Sequence, residues 1–469
     1  MSPRWRTATS PTQHGKKMSG SGKLPPGPVA FPIIGNAPQL NTKNLPRSVH
    51  EGPIFTIYLG SERVVVLYGH EVVKEAFVDQ GDEFSERGCM PVFEKGIPFN
   101  NGVPWKRLRQ FTLTTLKNFG MGNKSTEERI LEEAHFLVER LKTLTGRPFD
   151  PTLFLTHAVS NIICAIVFGD QFDYEDKKFV TLINLIEESN KLQRSPWTVL
   201  YNFFPTLMDY IPGPHQRIFK HFEELRKFVL ERVEMHRVSL EPSGPRDFIN
   251  AFLIKIKQEQ QNSQSEFTTE SLLRRTLGLF FAGTGTTSTI LKHGLLLLMK
   301  YPEIEEKVHV EIDCVIGRSR RPCMAYRSQM PYTDAVVHEI QRFISLTPLG
   351  APHAVTRQYI IPKGTTIFPA LKSVLYDSKA FPKPEQFNPG HFLDENGAFK
   401  KSDFFMPFSI GKQSCVGEGL ARTKLFLLLT TILQNFILKP LIDPKDIDIT
   451  PWNFTSNTPV SYQFIVIPR

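Results

Sequence analysis

The sequence is poor in cysteine, and the few it has stand apart. Cys89, Cys164, Cys314, Cys323 and Cys415 are odd in number and include no C-x-x-C pair. That excludes a disulfide framework and a structural zinc site, and it points to a reducing compartment or its cytosolic face. No run of roughly 18 apolar residues occurs anywhere, so no membrane-crossing helix is expected. The leading stretch MSPRWRTATSPTQHGKKMSGSGK also lacks the apolar centre of a signal peptide. Its Arg and Ser content invites a mitochondrial transit reading, but Pro3 and Pro11 oppose the amphipathic helix such a peptide needs. Acid is missing from residues 1–50, which hold seven Lys or Arg, and residues 1–23 read as a basic, disordered leader. Internal repeats are absent too. So are zinc-finger spacings and basic runs interleaved with aromatics, which leaves no nucleic-acid signature despite a net charge of +9. The basic surplus suits an anionic membrane surface or an acidic protein partner.

What is present is mostly helical pattern. Residues 24–35, starting LPPGPVAF, form a proline-rich hinge that cannot be regular helix or central strand. The rest, 36–469, reads as one large domain, mainly α with minor β. Ile54–Leu59 and Arg63–Tyr68 are expected as strands. Helices are expected to dominate from Trp105 to Lys300. The segment after Thr268 or Thr269, apolar from Leu272 to Leu298, predicts a long helix capped by one of those threonines and buried all round. Further helices are expected over Tyr332–Phe343 and Leu420–Phe436, with a β-like piece at Thr365–Phe368.

Three places could carry chemistry. In FMPFSIGKQSCVGEGLARTKLF, Cys415 stands in a glycine-punctuated loop that leads into a helix. Glycines permit close approach to a flat ligand, and a helix N-terminus favours a thiolate. A buried inert thiol, a nucleophile and a soft metal ligand all remain open from these residues alone. In the long helix, Gly283 and Gly285 of AGTGTT each cost about 1 kcal/mol relative to Ala. They mark either a ligand groove or a notch where helices pack. In EIQR, Glu339 and Arg342 share a helix face at spacing three, a pattern common on any surface helix.

Taken together and in order, these segments resemble cytochrome P-450. FSIGKQSCVG is similar to that family's haem-ligand loop, with Phe408, Gly411, Cys415 and Gly417 in register and Gln413 where the pattern has Arg. EIQR resembles its E-x-x-R pair, followed by FNPGHF of its meander. LPPGP, NFGMG and GEGLAR are similar to the vertebrate microsomal family-two enzymes, and the likeness runs from about Leu24 to the end. The resemblance implies a helical fold around a buried haem, with Cys415 as the thiolate ligand whose donation favours O–O cleavage. It implies that Thr286, with Gly285 before it, lies at the proton-delivery site. It further implies that Trp105, Arg109, Arg87 and His353 contact haem propionates, and that Glu339 and Arg342 form a structural pair. Monooxygenation of xenobiotics or fatty acids such as arachidonate is then expected, with electrons from NADPH through a separate flavoprotein reductase and cytochrome b5 as a second partner. Lys106, Arg107, Lys412, Arg422 and Lys424 are expected to form their docking face. Attachment to the cytosolic face of the endoplasmic reticulum is expected to be peripheral or monotopic, with mitochondrial or cytoplasmic location as alternatives.

Several positions depart from the pattern. Gln413 removes a charged propionate partner, Gly285 removes the acid before Thr286, and Thr423–Lys424 stand where Met-Glu is usual. The chain is also shorter than expected after His50, between Lys95 and Trp105, and between Arg357 and Gln358. These departures sustain two rival readings: a decayed, non-catalytic haem protein, and a peroxide-using lipid enzyme that needs no reductase.

Overall fold

The computed structural model describes residues 24–31, 35–36, 52–60, 62–88, 90–96, 101–119, 124–193, 195–240, 244–355, 361–450, 459 and 461–469. The basic leader lies outside the described residues, as do the three points of shortening in whole or part and the end of NFGMG. Helices of more than ten residues are α1 (Gly102–Phe119), α2 (Lys124–Lys142), α3 (Thr152–Val167), α4 (Lys177–Gln193), α5 (His215–Val238), α6 (Phe248–Gln258), α7 (Thr269–Lys300), α8 (Pro302–Val315), α9 (Pro331–Ile344) and α10 (Glu418–Asn435). The chain is mainly α, as its periodicity predicts.

At the centre, α3 packs along α7. Every α3 residue from Leu155 to Val167 is buried, which is what a helix apolar on all faces requires. α7 starts at a capping box: Thr268 Oγ1 accepts from Ser271 N (3.1 Å) and Ser271 Oγ accepts from Thr268 N (2.9 Å). A buried contact, Ser160 Oγ to Thr284 Oγ1 at 3.2 Å, joins the two helices midway.

A five-stranded sheet flanks this bundle in the order β1 (Ile54–Leu59), β2 (Glu62–Tyr68), β5 (Thr366–Ala370), β4 (His353–Ala354), β3 (Glu86–Arg87). Only β2 and β5 run parallel. β5 continues past Phe368, where the piece expected from the sequence ends, through Pro369. The reason is local: β4 pairs only with Thr366 and Ile367, so beyond them β5 is an edge on that side and tolerates proline. The β3–β4 register sets Arg87 directly opposite His353. A second sheet joins β6 (Phe436–Pro440) to β7 (Phe464–Pro468). α10 therefore ends at Asn435, and Phe436 opens a strand rather than closing the helix.

The Glu339–Arg342 pair of α9 is fully buried. Arg342 Nε and Nη2 donate to Glu339 at 2.7 and 2.8 Å, while Nη1 and Nη2 also reach the carbonyls of Leu375 (3.0 Å) and Gln386 (3.2 Å). Glu339 in turn accepts from Asn388 N (2.9 Å) and His391 Nδ1 (3.2 Å). The pair thus pins the 386–391 meander to α9, and every charged atom has a partner, as buried ions demand.

Candidate functional site

The loop before α10 is held in one shape. Cys415 N donates to Phe408 O at 2.9 Å, closing the loop on itself. Gly411 has φ of +76°, and a Cβ there would stand 2.0 Å from Phe77 O, so only glycine fits. Gln413 is buried and its Nε2 donates to Ser85 O at 2.6 Å. Arg87 Nη2 returns to Gln413 O at 2.8 Å. The loop is therefore stitched to the strand that carries Arg87. From the other side, α1 places Trp105 and Arg109 on one face. Trp105 is buried, the Arg109 guanidinium lies 5.7 Å from its ring, and Arg109 Nη2 donates to Ser414 O at 2.6 Å. Phe408 packs beneath the Arg422 guanidinium at 5.2 Å.

Cys415 is exposed. Yet burial pushes its thiol pKa up, ahead of an opposing hydrogen bond from Gly417 N–H, a repulsive contribution from Glu418 and the pull of Arg109 and Arg87. A thiol at the floor of a crevice satisfies both facts: protein surrounds it, but one direction stays free. Desolvation thus outweighs the backbone hydrogen bond that the helix end supplies.

His353 is the hinge between strand and loop. Its Nδ1–H donates to Phe84 O (2.9 Å), leaving Nε2 to accept from Arg87 Nη1 (3.3 Å). Burial, followed by the Arg87 charge, lowers its pKa to about 3, which keeps the ring neutral and the acceptor available. Arg87 itself is pushed down to about 10, by burial first and then by Arg109.

The middle of α7 is buried except along one stripe. Ala282 and Thr286, one turn apart, are exposed in the middle of an otherwise buried helix, and Leu279 and Phe281 are partly so. Thr286 Oγ1 donates to Ala282 O at 2.9 Å. The two glycines do not belong to this stripe. A Cβ on Gly283 would meet Ile163 Cδ1 at 2.5 Å, and one on Gly285 would meet Asn190 Nδ2 at 2.5 Å. They let α7 sit close against α3 and α4, so the packing reading holds for the glycines and the groove reading for Ala282 and Thr286. Asn190 occupies the space that an acid at 285 would need.

Lys424 overturns one expectation. Its side chain is buried on α10, and Nζ donates to Gly283 O at 2.9 Å. It cannot belong to a docking face. Arg107, Lys412 and Arg422 do reach the surface, where they pair with Glu259 and Glu266, with Asp82, and with Glu418 respectively. Lys106 is exposed.

A haem fits these residues. The donor set offers one thiol at the floor of a crevice, a stripe of small and hydroxyl residues opposite, and guanidinium groups at the rim. Sequence reading passed over one further guanidinium. Arg275 of α7 has a buried Nη2 without a hydrogen-bond partner. Its pKa is lowered by burial and then by the charge of Arg109. The signal was available in its spacing, seven residues before Ala282 and eleven before Thr286.

Comparison with known proteins agrees. The family model described as Cytochrome P450 matches residues 25–466. Cytochrome P450 2H1 of Gallus gallus is 57% identical over 470 residues, covering 97% of this chain and 95% of the relative. Cytochrome P450 2C55 of Mus musculus is 54% identical over 97% of this chain and 96% of its own. Cytochrome P450 2C29 of Mus musculus is 53% identical with the same coverage. With the helical fold, the glycine-bound cysteine loop and this likeness along the whole length, the chain belongs to the cytochrome P450 family and is a haem-dependent monooxygenase.

Proposed function

We propose that this enzyme inserts oxygen into lipophilic molecules, xenobiotics and fatty acids such as arachidonate. Its electrons come from NADPH through a separate flavoprotein reductase, with cytochrome b5 as a second donor, at the cytosolic face of the endoplasmic reticulum. Cys415 Sγ is the protein's ligand to the haem iron. When bound, the haem supplies the activation of dioxygen and the oxidation of the substrate. The chain's residues bind, orient and protonate. Arg87, Arg109 and Trp105 hold the propionate edge, with His353 fixing Arg87. Phe408, Gly411 and Gln413 shape the loop around the sulfur. Thr286 Oγ1 carries the proton, its own hydrogen directed to Ala282 O and its lone pairs open to water in the stripe. Gly285 brings no carboxylate, so that proton arrives through water. Glu339 and Arg342 hold the meander.

The observation that carries this reading is the juxtaposition of one open thiol with two guanidinium groups bound to its loop. The apolar members of the α7 stripe, Leu279, Phe281 and Ala282, support a lipophilic substrate. For attachment, no described helix is long and apolar enough to cross a membrane. A different surface suits a lipid face: Val29, Phe31, Leu200, Leu207 and Tyr210 are all exposed. The segments that carry them meet at Leu59–Gly60, where Phe203 and Phe204 pack at Gly60 and Leu59 bridges to Gly35 at the end of the proline-rich hinge.

The test is turnover with purified reductase, NADPH, arachidonate and isotopically heavy dioxygen. One heavy oxygen atom per product, dependent on NADPH, is expected. Product formed from a lipid hydroperoxide without NADPH, and none with it, favours the rival peroxide enzyme. Docking through Lys106 and Lys412 predicts a rate that falls with ionic strength and in Lys106→Glu and Lys412→Glu.

A further inference from the structure

Arg275 has no assigned role, and its placement is specific. On a helix of 3.6 residues per turn, positions 275, 282 and 286 fall within an arc of about 40°, with 275 midway between the other two. Its guanidinium therefore belongs to the same open stripe as Ala282 and Thr286, roughly two turns towards the start of α7. Nη2 is buried without a hydrogen-bond partner, and no carboxylate among the described residues pairs with Arg275 or Arg109. A buried donor left unmade is costly, and a buried cation more so. The charge of Arg109 further lowers the Arg275 pKa, and Arg109 spends Nη2 on Ser414 O and Oγ. Two desolvated guanidinium groups that repel each other are reconciled by an anion held between them. Gln413, whose amide is committed to Ser85 O, brings no charge to this rim.

We infer that Arg275 and Arg109 together hold a carboxylate at the edge of the crevice. The planar fork of each guanidinium matches a carboxylate with paired donors. Two molecules can present that group: the haem, through a propionate, and a fatty-acid substrate, through its head. In the first case Arg275 supplies from α7 the charge that Gln413 omits from the loop. The inference rests on the haem-thiolate reading of the Cys415 loop.

The experiment uses the haem-loaded enzyme with Arg275→Met and Arg275→Lys. Haem release is timed by transfer to an excess of haem-scavenging apoprotein. Binding of arachidonic acid and of its methyl ester is read from the shift in haem absorption. Release about tenfold faster in Arg275→Met, largely restored in Arg275→Lys, assigns the propionate. Unchanged release, with affinity for the acid reduced about tenfold and that for the ester unchanged, assigns the substrate head group. If neither release nor the preference for acid over ester moves, the inference is overturned. Should Arg275→Met fail to accumulate, Arg275→Gln against Arg275→Lys makes the same comparison, and equal behaviour of that pair overturns it equally. The reduced, carbon-monoxide spectrum of the parent separates this failure from failure of the Cys415 assignment, which would remove the thiolate band before any change at Arg275.

Discussion

Lys424 offers a prediction whose size and sign both follow from its surroundings. The side chain is buried between α10 and α7, and the one acceptor for Nζ among the described residues is Gly283 O. Burial lowers its pKa from 10.5 to about 7, partly offset by attraction to Cys415. A drop of that size corresponds to about 5 kcal/mol between the charged and neutral forms. The unfolded chain keeps the ordinary lysine pKa, so between about 7 and 10.5 it binds more protons than the folded state. Stability must therefore rise with pH across that window, by up to about 1.4 kcal/mol per unit. Well below pH 7 both states are charged and the full penalty applies. Lys424→Met keeps the length and the packing but removes the charge, while Gly283 O retains its place in the helix. The variant is expected to be more stable than the parent at pH 7, with the advantage shrinking as pH rises and vanishing above about 10.5. Urea unfolding of both proteins at matched pH values from 6.5 to 10 gives the difference curve, in which all shared titrating groups cancel. A difference that is flat with pH, or that grows towards alkali, would refute the reasoning.

Two further substitutions test the frame around the site. Arg342→Met leaves Glu339 buried with its charge, so it should destabilise by about 3–5 kcal/mol in urea unfolding, and adding Glu339→Gln should recover part of that loss; additive losses would contradict the paired-ion account. Gly285→Glu restores the acid before Thr286 but drives a Cβ into Asn190, so it should cost about 1–3 kcal/mol, and Asn190→Ala should relieve it; a stable single variant would show that the contact yields freely.

Much of this architecture was legible in the residues. The strands at Ile54–Leu59 and after Arg63, the capped helix after Thr268 and the helix after Pro331 follow from periodicity, caps and proline, which are local signals. The Cys415 loop was legible because its glycines and cysteine must stand at fixed spacings. What could not be read was which face of a helix meets which neighbour. Gly283 and Gly285 leave a ligand groove and a packing notch both open until Ile163 and Asn190, more than 90 residues earlier, are brought against them. Lys424 looks like a surface cation because its burial is decided by the approach of α7. Arg275 has the spacing of the Ala282 and Thr286 stripe, but nothing local tells it from Arg274, which turns outward to Glu270. The thiol of Cys415 shows the same limit: the helix end is local and visible, whereas its desolvation, which Arg109 and Arg87 oppose, comes from chain packed around it.

The most direct measurement is the reduced, carbon-monoxide difference spectrum of the purified protein and of Cys415→Ser. A cysteine thiolate on the haem iron gives the parent a strongly red-shifted Soret band and deprives the variant of it. The same band in both proteins, or its absence from a haem-loaded parent, would contradict the assignment of Cys415 as the ligand.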